Sequence, residues 1–269
     1  MKSNTFVSGV VVGSSMLIPG VSGGTMAIIL GIYDKLLHSV SHIKSEFKAS
    51  AVFLLKFCLG AGVGILLLSR VVLTLFEFYE IQMRFFFSGV IVGSVPMLFK
   101  RAGVSLKWRK AQLVSCVLPI ASGLFICVIL SSIPTGLIFL ESFSLKSLMI
   151  LLLAGVVVAV ALILPGISVS HILLILGLYE LVLKAVGELD IKILLPLFLS
   201  VFVSTLIFTS FLERLLNESP KLSYLFITGF VLASLTEVLP HNMPMGITLI
   251  VSVILFFMGF LISNIISEK

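Results

Sequence analysis

The chain has 269 residues, 59% of them hydrophobic and only 11% charged, with a formal net charge of +6. An ordinary soluble domain carries about 25% charged residues, so this chain has too little polar surface to coat a water-soluble globule. The basic balance falls in loops between apolar runs, which is a membrane pattern, and no nucleic-acid motif accompanies it.

In chain order, an apolar N-terminal stretch leads to Pro19-Gly20, and further apolar runs follow at 51–69, 85–99, 113–130, 194–211, 222–239 and 246–262. Most come close to the ~20 residues a helix needs to cross a hydrocarbon core. None alternates polar and apolar residues as a barrel strand would. The fold class is therefore an all-α polytopic membrane protein. Its N-terminal stretch is read as mature chain and not as a signal peptide. Gly9-Val10-Val11-Val12 before Pro19-Gly20 recurs deep in the sequence as Gly155-Val156-Val157-Val158 before Pro165-Gly166. Cys58, Cys116 and Cys127 all lie in apolar runs and are expected to be buried, inert thiols.

The recurrence is wider than that. Residues 18–37 read IPGVSGGTMAIILGIYDKLL and residues 164–183 read LPGISVSHILLILGLYELVL, 146 residues later. Pro-Gly-x-Ser and Gly-x-Tyr-acid match in both. A second likeness joins Phe86–Ser94 to Phe226–Ser234. The expectation is two repeats in one membrane domain. The first, 1–145, has a re-entrant hairpin at about 5–37 and helices at about 50–76, 84–100 and 111–132. The second, 146–269, has a hairpin at about 147–184 and helices at about 192–214, 222–239 and 246–266. Paired Gly9/Gly13, Gly155/Ala159, Gly89/Gly93 and Gly229/Ala233 suit close helix contact in lipid.

The densest basic loop, Lys100-Arg101 to Lys107-Trp108-Arg109-Lys110, is expected in the cytoplasm. Tracing from it puts both termini in the cytoplasm and makes the two hairpins enter from opposite faces. Inverted repeats whose broken helices meet at mid-membrane are a transporter plan.

The chemistry of the motif follows from its residues. Pro19 and Pro165 break the helix, Gly20 and Gly166 allow the turn, and Ser22 and Ser168 cap outgoing half-helices over 23–33 and 169–179. A helix start offers N–H groups to an anion. Gly23 and Gly24 permit close backbone approach, while Thr25 and Ser170 add hydroxyls. A kinked, capped hairpin without ligand is the plain alternative; the inverted duplication argues against it. Arg70 and Arg84 are candidate phosphate ligands, since a guanidinium grips phosphate through two hydrogen bonds, although Arg84 at a helix start also suits snorkelling. Arg214 suits pairing with Glu213 or Glu218. His171, one turn into the second half-helix, and Glu180 are candidate proton-linked groups. Asp34 and Glu180 also fit a tyrosine at the interface followed by an acid in water. No catalytic motif, metal cluster or cofactor fingerprint is found, so the chain is read as no enzyme, with no metal and no cofactor.

Pro19-Gly20-Val21-Ser22-Gly23-Gly24-Thr25 with Gly31-Ile32-Tyr33, and Leu164-Pro165-Gly166-Ile167-Ser168 with Leu176-Gly177-Leu178-Tyr179-Glu180, resemble the paired signatures of the bacterial polyprenyl-phosphate transporters. That family was formerly a domain of unknown function. The resemblance spans nearly the whole chain. In that family the second signature reads PGISGS; here Val169 stands where the second glycine falls, which restricts backbone approach on that side. The resemblance implies a multi-pass protein of the bacterial cytoplasmic membrane that returns undecaprenyl phosphate from the outer to the inner leaflet for cell-wall synthesis. Its partners would be that lipid and the membrane, with a homodimer left open and nucleic acid excluded. A secondary transporter of a small soluble anion is the alternative.

Overall fold

The computed structural model describes residues 4–16, 18, 21–104, 110–137, 144–240 and 242–267. Pro19, Gly20 and the basic cluster at Lys107-Trp108-Arg109 lie outside the described residues. Among those described the architecture is all helix: α1 Thr5–Ser15, α2 Gly23–Ile29, α3 Tyr33–Ser41, α4 Phe47–Arg101, α5 Lys110–Ser132, α6 Leu145–Ile163, α7 Val169–Ile175, α8 Tyr179–Glu188, α9 Ile191–Glu218, α10 Pro220–Ala233, α11 Leu235–Val238 and α12 Ile247–Ser267.

Among the described residues seven helical segments are long and apolar enough to cross a membrane. They include two segments of α4, Phe47–Val72 and Thr74–Arg101, and α4 is kinked at Tyr79 (φ −134°, ψ 39°) within the second. The chain is a polytopic all-α membrane protein. Helix starts follow local chemistry. Asn4, Ser144 and Asp190 accept hydrogen bonds from the N–H groups of Phe6, Ser147 and Lys192, and Pro220 opens α10, where its missing N–H costs nothing.

Packing relies on backbones that nearly touch. A Cβ on Gly9 or Gly13 of α1 would stand 2.2 Å from the carbonyl oxygens of Phe57 and Ala61 on α4. A Cβ on Gly89 of α4 would meet the Phe256 carbonyl of α12 at 1.9 Å, and one on Gly229 of α10 would meet the Ile120 carbonyl of α5 at 2.3 Å. With lipid outside, the apolar effect does not drive helices together, so this contact has to come from close van der Waals fit.

One length departs from expectation. The inbound arm of the second motif was expected as half a re-entrant hairpin. At 19 residues, α6 is long enough to cross by itself. The bend lies beyond it, where α7 and α8 meet at 112°. Cys116 is buried as expected and Cys127 half-buried, but Cys58 is exposed.

Candidate functional site

Leu164 is held extended (φ −75°, ψ 123°), the conformation that a following proline imposes, and this ends α6. Gly166 then takes φ +85°, with a Cβ there only 2.4 Å from the Phe230 carbonyl oxygen, so both its dihedral and its surroundings demand glycine. Ser168 caps α7, its hydroxyl oxygen accepting from the His171 N–H at 3.5 Å. Ser22 holds the matching extended position (φ −82°, ψ 136°) before α2, without a side-chain cap bond. The two breaks touch: a Cβ on Gly24 would stand 3.2 Å from the Cα of Pro165.

The outgoing half-helices are shorter than 23–33 and 169–179. Each has seven residues and stops just before the glycine of Gly-x-Tyr. Gly31 (φ +68°) donates to the Ile28 carbonyl at 2.8 Å and Ile32 to Ala27 at 3.0 Å. Gly177 (φ +71°) donates to Leu174 at 3.0 Å and Leu178 to Leu173 at 2.9 Å. Both are Schellman stops, which satisfy the last carbonyls of a helix through a left-handed glycine. The Gly-x-Tyr signature therefore writes a second break, and Tyr33 and Tyr179 begin new helices.

Tyr33 is buried, not interfacial. Its hydroxyl donates to the Ile163 carbonyl at 2.8 Å, tying the first motif to the last turn of α6 just before Pro165. Asp34 accepts from Tyr224 at 2.7 Å and pairs with Arg101.

Between these breaks lies a cavity of about 420 Å³. Ser22, Gly23 and Gly24 line it from the first motif, and Ser168, Val169 and Ser170 from the second. Thr205 and Thr209 of α9 add hydroxyls, and Tyr33, Leu36, Leu37 and Val40 of α3 form one wall. Cys58, Met16 and Leu162 line it as well and are exposed, so the cavity reaches the apolar surface of the bundle. Among the described residues no charged side chain lines it. A neighbouring groove of about 210 Å³ shares Ile163 with it and is walled by Val160, Phe208, Phe211 and Phe226.

Of the residues singled out from sequence, Ser22, Gly23, Gly24, Ser168 and Ser170 meet in this cavity. Thr25 sits just behind, fully buried, its hydroxyl without a hydrogen-bond partner among the described residues. Pro165 and Gly166 form the second break. Arg70 is exposed on α4 and does not line the cavity. The Nε and Nη1 donors of Arg84 are engaged elsewhere. They reach Glu80 at 2.9 Å and the carbonyls of Glu237 and Val238 at 3.2 Å each, closing the end of α11. Arg214 pairs with Glu218 at 2.7 Å. His171 is half-buried, its Nε2 without a hydrogen-bond partner among the described residues. Glu180 is exposed at the start of α8.

Sequence reasoning missed Thr205, Thr209 and Tyr33. The threonines belong to an unbroken apolar run and carry no local signal. Tyr33 had one in the Gly-x-Tyr repeat, but its burial depends on α6, 130 residues away.

Residues 12–250 match the family model described as VCA0040-like, undecaprenyl phosphate translocase-like. A polyprenyl-phosphate transporter of Vibrio cholerae is 30% identical over 252 residues, covering 88% of this chain and 77% of the relative. One from Staphylococcus aureus is 31% identical over 268 residues, covering 96% and 93%. No solved structure matches. With a family model covering most of the chain and relatives aligned along nearly all of it, the chain belongs to the undecaprenyl phosphate translocase-like family.

Proposed function

We propose that the protein carries a polyprenyl phosphate, undecaprenyl phosphate above all, from the outer to the inner leaflet of the bacterial cytoplasmic membrane. There it serves carrier-lipid recycling for cell-wall synthesis. The observation that supports this best is one cavity lined by both Pro-Gly-x-Ser segments and rimmed by exposed apolar side chains. The phosphate would take the hydroxyls of Ser22, Ser168 and Ser170 and the first N–H groups of α2 and α7, which have no acceptor within their own helices. The polyprenyl tail would leave past Met16 and Leu162 into lipid, or across Ile163 into the adjoining groove.

The two halves act, on this reading, as inverted repeats. Gly89 and Gly229 occupy matching sequence positions, and each packs on the last helix of the other half. Both termini lie in the cytoplasm. A thiol label near residue 107 would then react from the cytoplasm and one near Asp190 from outside; the reverse pattern would overturn this arrangement.

Transport of a small soluble anion is the second reading. The mostly apolar lining and the surface-reaching rim favour the lipid. Proteoliposomes settle the matter: the protein should accelerate undecaprenyl-phosphate exchange between leaflets over empty vesicles. Soluble phosphate uptake without lipid exchange would select the second reading. Losing one hydrogen bond to a charged head group costs about 1.5–3 kcal/mol, so Ser22→Ala and Ser168→Ala should each slow exchange roughly tenfold or more. Wild-type rates for both would sink the site assignment.

A further inference from the structure

Outside the cavity, three side chains converge at the junction of α3 and α9. His38 and His42 are four residues apart on the last turn of α3 and the residue after it, so both rings project from one face and stack at 4.2 Å. Each turns its Nδ1 toward the carboxylate of Glu213 on α9, at 2.8 and 3.4 Å. One ligand atom from each lies within 4.8 Å of the other two. Ligands about 2.0–2.2 Å from a tetrahedral zinc stand roughly 3.3 Å from one another, and the two histidine–carboxylate distances here, 2.8 and 3.4 Å, fall on either side of that value. Glu213 is 15% exposed, while the histidines are nearly half exposed, so an ion has a route in.

The surroundings fit as well. Glu46 stands 3.7 Å from His38 Nε2, the second ring nitrogen, where metal-bound histidines usually meet a carboxylate. The Ser41 hydroxyl donates to Glu213, lies 2.9 Å from His42 Nδ1 and approaches the His38 carbonyl at 3.1 Å. A pocket of about 360 Å³ lined by Ser41, His42, Glu213 and Asn217 leaves room for a water as a further ligand. Arg214, also on that pocket, is engaged by Glu218.

We propose that His38, His42 and Glu213 form a binding site for one divalent transition-metal ion of the zinc class, clamping α3 to α9. Two imidazoles and a carboxylate suit zinc, and less so calcium or magnesium, which prefer oxygen ligands. The clamp bears on the cavity, because Val40 of α3 and Thr209 of α9, each one turn or less from a ligand, line it.

The test uses untagged full-length protein in detergent, stripped with chelator and titrated with Zn²⁺ by calorimetry and with Co²⁺ by visible absorption. One ion per chain should bind, and Co²⁺ should show the intense bands of a tetrahedral site. His42→Ala and Glu213→Gln should each abolish both signals. Glu46→Gln should weaken Zn²⁺ binding by about tenfold or more, as loss of a supporting carboxylate does. If Glu213→Gln fails to fold, wild-type stoichiometry and the His42→Ala titration decide. No saturable binding, or binding untouched by His42→Ala, overturns the proposal.

Discussion

Removing the Tyr33 hydroxyl isolates the link between the two motifs. Tyr33→Phe keeps the ring and deletes one oxygen, the donor to the Ile163 carbonyl at 2.8 Å. Ile163 is the last residue of α6, and the last four carbonyls of a helix have no partner within it. Pro165 follows and can supply no N–H. Ile163 and Tyr33 are both buried beside the cavity, and Tyr33 is the hydrogen-bond donor to this carbonyl. An unsatisfied buried carbonyl costs about 1–3 kcal/mol, which is roughly 5- to 150-fold in the equilibrium for opening that break, at tenfold per 1.4 kcal/mol. Hydrogen exchange read by mass spectrometry should show protection over residues 163–170 falling by that factor. Peptides away from both motifs should stay as they were. Unchanged protection at 163–170 would refute the argument that this hydroxyl holds the break.

Further outcomes follow from other contacts. Gly166→Ala should destabilise the protein by about 1–3 kcal/mol from backbone strain alone, with more from the Phe230 carbonyl; a wild-type melting temperature in detergent would contradict this. Arg70→Gln should leave lipid exchange within about twofold of wild type, as exposed substitutions usually do; a large loss would return Arg70 to the site. Without metal, the hydrogen bond to Glu213 raises the His38 pKa. That pairing is therefore complete below the ordinary histidine value of about 6.5 and is lost as pH rises through the raised one. The melting temperature of chelator-treated protein should fall across that window, and His38→Gln should flatten the profile.

Much of the fold was legible because lipid imposes a simple rule: apolar runs near 20 residues become helices. The all-helical, multi-span fold follows from that rule, and among the described residues seven helical segments are long and apolar enough to cross. The break at Pro165-Gly166 was legible because proline acts on its own neighbours. The Schellman stops were missed although their glycines had been noticed, since Gly31 and Gly177 sit within runs that stay apolar. The arginines pose a different problem. Sequence shows that Arg84 is charged, but not that the free carbonyls at the end of α11 lie within its reach. Hydroxyls supplied from α9 were invisible, because which face of an apolar helix meets a cavity depends on its neighbours.

The cavity's neutral lining has a consequence for energetics. A carrier that holds a phosphate by hydroxyl and amide dipoles alone adds no compensating charge. Its loaded form bears the cargo's negative charge, while its empty form crosses neutral. An inside-negative potential therefore acts only on the loaded step, and it favours the outward direction by about 2.3 kcal/mol per charge at 100 mV. That is roughly a fiftyfold bias per charge against accumulation on the inner leaflet. On the proposed inward direction, net flux would need a cation crossing with the lipid, or enzymes at the inner face consuming the lipid as it arrives.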